Sequence, residues 1–161
     1  MDRLKYLLLM FVALFLLNTC KTNDKNTTRQ IEYMIFGQYY GECSGKNCIA
    51  FYKINCCQIY EDTTDVYPNI GLQYNGTFIE LSPQKLDSVN YLIHRIPHVL
   101  FYETVTIIGK PDEADGGGLY VEVKCVGEPV QYWYIDKVKT KIPTYLYSFV
   151  DDLNSAIKKL Q

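Results

Sequence analysis

The chain has 161 residues, with 16 Lys and Arg against 18 Asp and Glu and 48% apolar residues, which is enough for about one domain with its own core. Near-balanced charge without an Arg or Lys cluster argues against a nucleic-acid partner, because phosphate neutralisation needs a local positive excess. Fifteen tyrosines suit half-buried strand faces on which the ring packs and the hydroxyl stays wet.

Arg3 and Lys5 precede an apolar run from Tyr6 to Leu17. The run is short for a bilayer-spanning helix, which needs about 20 residues, and has the layout of a secretory signal. Residues 1–19 are therefore read as a signal peptide. Cys20 ends the stretch "LNTC", a relaxed lipobox, and is read as the lipidated (palmitate-bearing) first residue of the mature chain. Plain secretion and an uncleaved anchor are the alternatives. Residues 20–30 continue as "KTNDKNTTRQ" after the cysteine, without an apolar residue, and read as a flexible tether. Lys21 stands where Asp would signal inner-membrane retention, so the expected location is the outer membrane, on either its periplasmic or its surface side. The expected partners are the membrane, through the lipid, and an envelope protein or glycan.

Residues 31–161 are expected to form a single globular domain. "IEYMIFG" (Ile31 to Gly37), "IAFYKI" (Ile49 to Ile54) and Gln58 to Glu61 read as strands, with Asn55, Cys56 and Cys57 as a tight hairpin connection. Asp62 to Gly76 reads as a polar loop and Thr77 to Leu81 as a strand. Ser82 is a candidate N-cap with Pro83 at the first helical position. Leu86, Val89, Leu92, Ile93 and Ile96 follow at helical spacing as far as Pro97. Thr104 to Ile108 reads as a strand, and Leu119–Val126 with Val130–Ile135 as a hairpin. In its first arm Tyr120, Glu122 and Lys124 alternate with Leu119, Val121, Val123 and Cys125. Pro143 opens a final helix with Leu146, Phe149, Val150, Leu153, Ile157 and Leu160 on one stripe. The expected fold is α+β: a largely antiparallel sheet built from hairpins, with two helices packed on one face.

With Cys20 set aside, five cysteines remain: Cys43, Cys48, Cys56, Cys57 and Cys125. In an exported chain the default is a disulfide, and Cys43 with Cys48, across a polar turn, is the candidate pair. Cys56 and Cys57 are expected to face opposite sides of the hairpin end. The alternative is a zinc or copper site built from Cys43 and Cys48 with Cys56 or Cys57. A catalytic thiol is the third reading. His94 and His98 are four apart, but Pro97 between them interrupts a shared helical face.

"GKPDEADGGGLY" places Asp112, Glu113 and Asp115 before three glycines. Hard oxygens on a sharply turning loop suit a Ca²⁺ or ligand site, although the spacing is neither that of an EF-hand nor that of a P-loop. The competing reading is a solvated loop leading into a hairpin. An envelope hydrolase would require these carboxylates to converge with His94 or His98 in a cleft.

"FGQYYGECSGKNCIAFYKI", "IYEDTTDVYP", "PDEADGGGLYVE" and "IPTYLYSFVDDLNSAI" together resemble a family of small bacterial lipoproteins of unassigned activity, with a GEC-x4-C motif and a PD-x-AD-x-GG motif. The resemblance runs from Phe36 to Ile157. The Cys43-to-Tyr52 stretch is also loosely similar to a broader domain with a Cys-x-Gly-x-Cys start. Where relatives read Cys-Pro-Asp-Cys, this chain has Lys110-Pro111-Asp112-Glu113, so the resemblance implies no metal or redox site there. It implies an exported lipoprotein without an assigned activity. The expected function is a lipid-anchored envelope domain, non-enzymatic and without a cofactor, that binds a partner or has a structural role; the alternative is a zinc- or copper-binding lipoprotein. Tyr132, Trp133 and Tyr134 are a candidate aromatic contact strip.

Overall fold

In a computed structural model the described residues are 29–43 and 48–161. The signal-peptide and Cys20 readings, and the tether up to residue 28, lie outside the described residues, as does the segment between Cys43 and Cys48. The architecture is α+β. Seven strands form one open sheet: β1 (Ile31–Tyr39), β2 (Ile49–Ile54), β3 (Ile59–Asp62), β4 (Phe78–Glu80), β5 (Ile107–Ile108), β6 (Gly118–Cys125) and β7 (Gln131–Asp136). Their order is β4-β3-β2-β1-β6-β7-β5. Every neighbouring pair is antiparallel except β5 with β7. Arg29 and Gln30, the last residues of the expected tether, are held to this domain. The Arg29 guanidinium lies 4.6 Å over the Phe101 ring and pairs with Glu128 at 3.2 Å, and the Gln30 carbonyl accepts from the Val126 amide at 2.9 Å.

Strand alternation sends Met34, Phe36, Val121, Val123, Trp133 and Ile135 to one face. There α1 (Pro83–Val89) and α2 (Tyr147–Leu160) cover them. The predicted stripe of α2 is fully engaged: Phe149, Val150, Leu153, Ile157 and Leu160 are all buried, each contributing about 1.5–3 kcal/mol of transfer free energy. Lys85 of α1 donates to the Lys159 and Leu160 carbonyls at 3.2 and 2.8 Å, satisfying the open C-terminal end of α2.

The first helix is shorter than its periodicity predicts. The α-helical part ends at Val89, and 3-10 turns over Asn90–Arg95 and His98–Tyr102 continue the segment. The buried positions Leu86, Val89 and Leu92 fall three apart, so they share one side of the segment as it passes from α-helix into the 3-10 turn. Ile93 and Ile96 are only partly buried. Ser82 occupies the N-cap position, but its side chain caps nothing. The strand expected over Thr104–Ile108 is reduced to Ile107–Ile108, running parallel to β7.

The opposite face departs most from expectation. Ile35, Tyr39, Phe51, Tyr120 and Tyr134 point there, and they are dry rather than half-wet: Tyr39, Tyr120 and Tyr134 are 0% exposed. The loop between β3 and β4 closes over them. It inserts Tyr74 face to face against Phe51, with ring centroids 4.0 Å apart, and packs Ile70 alongside. The sheet is therefore covered on both sides, by helices on one and by a loop on the other.

Candidate functional site

Cys43, just after β1, and Cys48, just before β2, are joined as a disulfide with Cα atoms 5.5 Å apart. Sulfurs bonded to each other offer no thiolate to zinc or copper. Cys125 is a free thiol buried at the end of β6, where burial pushes its pKa up. Cys56 and Cys57 are free and exposed. They do not face opposite sides: their Sγ atoms lie 2.9 Å apart. Period-two alternation applies to extended residues, and these two form the turn that follows the last β2–β3 pair, Ile54 with Ile59. Asn55 holds that turn. Its Oδ1 accepts from the Cys57 and Gln58 amides at 2.9 and 2.8 Å, and its own amide donates to the Gln58 carbonyl at 3.1 Å. Asn is suited to this because its side chain mimics a backbone acceptor.

Beside the turn opens a cleft of about 710 Å³ whose lining includes Arg29, Cys56, Ile93, His94, His98 and Phe101. His94 lies in the 3-10 turn that ends at Arg95 and His98 opens the next, with extended Ile96 and Pro97 between the two turns. The two imidazoles thus belong to separate segments, and His98 meets the Tyr102 ring edge-on at 5.2 Å. The cleft mixes apolar walls with Arg29, Cys56 and the two His, the composition of a small-molecule site. No group of three or more His, Cys, Asp or Glu gathers within metal-ligating reach among the described residues. None of Asp112, Glu113 and Asp115 lines the cleft, so the carboxylate–His convergence that hydrolysis would require does not form there.

The acidic loop is held mainly by its own contacts. Asp112 accepts from the Gly117 amide at 2.9 Å and from the Tyr67 hydroxyl at 2.6 Å. Glu113 bonds Lys141 at 2.6 Å and Lys110 at 3.0 Å, and these two ammonium groups, Lys141 foremost, hold its carboxyl below the usual range. Asp115 is exposed. Asp112, Ala114 and Asp115 all take positive φ, at 61°, 52° and 58°, a conformation costing about 1 kcal/mol or more for each non-glycine residue. Two of the three carboxylates therefore hold the loop in its shape and already have hydrogen-bond donors of their own.

Three further carboxylates, absent from the expected site, are buried: Asp62 at 3% exposure, Glu122 at 1% and Asp136 at 2%. Glu122 accepts from the Tyr120 hydroxyl at 2.5 Å, the Tyr33 hydroxyl at 3.1 Å and Gln73 at 3.2 Å. Asp136 accepts from the Val138 and Lys110 amides at 2.8 and 3.0 Å. Burial pushes the phenols up, to about 12 for Tyr33 and Tyr52, and also raises Tyr74, Tyr120 and Tyr134. Held neutral, these hydroxyls act as hydrogen-bond donors and not as proton shuttles near neutral pH. The sequence signal was Tyr on one and the same face of three strands: Tyr33 and Tyr39 on β1, Tyr120 on β6, and Tyr132 and Tyr134 on β7. The aromatic strip is not exposed. Trp133 lies in the helix-side core and Tyr134 in the loop-side core, while Tyr132 is partly buried and donates to the Gly71 carbonyl at 3.0 Å. The faces of β7 alternate, and each face is covered.

Comparison of the chain with family models, with curated proteins and with solved structures finds no match.

Proposed function

We propose that the protein is a lipid-anchored domain of the bacterial cell envelope, exported through residues 1–19 and tethered at Cys20, and that it acts by binding a small polar ligand without catalysing a reaction on it. The anchor rests on the order of a positive n-region, an apolar run too short to span a bilayer, and Cys20. The Cys43–Cys48 disulfide supports the reading, because such bonds persist in oxidising, exported compartments. The resemblance to small bacterial lipoproteins points the same way.

The observation that carries the binding half is the cleft beside the β2–β3 turn. There Cys56 and two exposed imidazoles adjoin apolar walls beside Arg29, itself paired with Glu128, whereas Asp62, Glu122, Asp136, Asp112 and Glu113 are each occupied by backbone, hydroxyl or lysine donors. The zinc or copper alternative would require the Cys43–Cys48 bridge to open.

The test is expression of the full chain in a Gram-negative host with radiolabelled palmitate. Label on the wild type, and its loss from Cys20→Ser together with release from the membrane fraction, is the expected result. An unlabelled wild type recovered from the soluble periplasm would overturn the anchor. A purified protein holding stoichiometric zinc or copper, with Cys43 and Cys48 reduced, would move metal binding to first place.

A further inference from the structure

Cys56 and Cys57 present two exposed thiols with sulfurs 2.9 Å apart, in a turn fixed by three hydrogen bonds of Asn55, two accepted by its Oδ1 and one donated by its amide. Two unbonded sulfurs this close need to approach by only about 0.9 Å to reach bonding distance. Cys56 also lines the cleft, which leaves room for the two halves of an incoming disulfide. We propose that Cys56 and Cys57 are a reactive dithiol whose substrate is a low-molecular-weight disulfide, and that exchange with it closes a vicinal Cys56–Cys57 bond on the lip of the cleft.

The step balances in two exchanges. The Cys56 thiolate attacks one sulfur of the external disulfide, R–S–S–R. A Cys56–S–S–R bond forms and one RS⁻ leaves, taking up the proton that Cys56 released. The Cys57 sulfur then attacks Cys56 Sγ. The Cys56–Cys57 bond forms, the second RS⁻ leaves, and the Cys57 proton passes to it through solvent. The two cysteines are oxidised by two electrons, and the external disulfide is reduced to two thiols.

The order follows from the cleft. Cys56 lines it and Cys57 does not, so Cys56 meets an incoming disulfide first and Cys57, with its sulfur 2.9 Å away, is the resolving thiol. The eight-membered ring of a vicinal disulfide is strained, and strained, exposed bonds are the reducible ones. The closed form should therefore reopen under mild reductant, unlike the Cys43–Cys48 staple. The proposal depends on the export reading only for its oxidising surroundings, since the chemistry can be read on purified protein whether or not Cys20 carries lipid.

The full chain, purified in mild detergent, is incubated with glutathione disulfide, quenched in acid, alkylated and mapped by mass spectrometry. Expected is a peptide spanning residues 55–58 that has lost two hydrogens, with no glutathione attached and full return to dithiol on adding reduced glutathione. Cys57→Ser should trap glutathione on Cys56, because the resolving thiol is gone. Cys56→Ser should react at least tenfold more slowly at Cys57. Because both side chains are exposed, near-UV circular dichroism of the variants should match the wild type and thereby separates reactivity from misfolding. Wild-type thiols that stay alkylatable after treatment, or that each hold a stable glutathione adduct without closing, would overturn the proposal.

Discussion

Removing the Asp62 carboxylate tests how the loop-covered face is held. The side chain is 3% exposed and accepts from the Tyr74 hydroxyl at 2.6 Å, Thr64 Oγ1 at 2.7 Å, the Thr77 amide at 2.7 Å and the Asp65 amide at 3.2 Å. In Asp62→Ala the exposed Thr64 and Asp65 groups can turn to water. The Thr77 amide, also on an exposed residue, can do the same, so the buried Tyr74 hydroxyl is the donor left enclosed, and it forgoes a bond to a charged acceptor worth about 1.5–3 kcal/mol. The expected cost is about 2–3 kcal/mol, or about 6–10 °C in Tm for a domain of this size. Thermal unfolding followed by near-UV circular dichroism reads it, since Tyr74 stacks on Phe51. A double-mutant cycle with Tyr74→Phe should return a coupling of about 1–2 kcal/mol. The same carboxylate sets a pH dependence. Burial alone would raise its pKa, but the bonds from Tyr74, Thr64 and the Thr77 amide outweigh it, leaving the pKa lowered in the folded state. Its stabilisation is therefore complete above the unfolded value of about 4 and is lost as pH falls through the folded one. Asp62→Asn should flatten the acid limb of the stability curve. A loss below about 1 kcal/mol in Asp62→Ala, with an unchanged acid limb in Asp62→Asn, would refute the reasoning.

Three further outcomes are expected. Cys48→Ser removes the bridge across the β1–β2 connection, and loop-closure entropy for so short a loop predicts a loss of about 2 kcal/mol in denaturant unfolding; an unchanged midpoint would show that the bond does not constrain the unfolded chain. Gly37→Ala places a Cβ 2.8 Å from the Phe51 Cα and against the Ala50 carbonyl in the middle of the sheet. Neither backbone atom can yield, so a loss of about 3 kcal/mol or more, or insoluble protein, is expected, and a native melting curve would contradict the strand register. In an ultraviolet titration the raised phenols, Tyr33 and Tyr52 at about 12 among them, should stay protonated where an ordinary phenol ionises. Stability should be full below pH about 10 and fall as pH rises above it; complete phenolate formation at that pH in folded protein would show that the tyrosine face is open to water.

The sequence by itself determined the parts of the fold that depend on local chemistry. The strand runs "IEYMIFG" and "IAFYKI" appear as β1 and β2, and the last stripe appears as α2 with its predicted residues buried. In each case the periodicity of apolar side chains matches the repeat of one element. Only the tertiary structure decided what faces what. Alternation placed Tyr120 and Glu122 opposite Val121 and Val123, but not the arrival of the loop that buries both of them from 46 or more residues away, through the Tyr74 amide on the Tyr120 hydroxyl and Gln73 on Glu122. Likewise "NCCQ" reads as a turn from its residues. That its two sulfurs approach to 2.9 Å, and that Cys56 shares a cleft with His94 and His98, depends on turn dihedrals and on the packing of a distant 3-10 segment. A local pattern records which face a residue prefers, whereas a site is made of long-range contacts, and these are fixed only when the whole core closes.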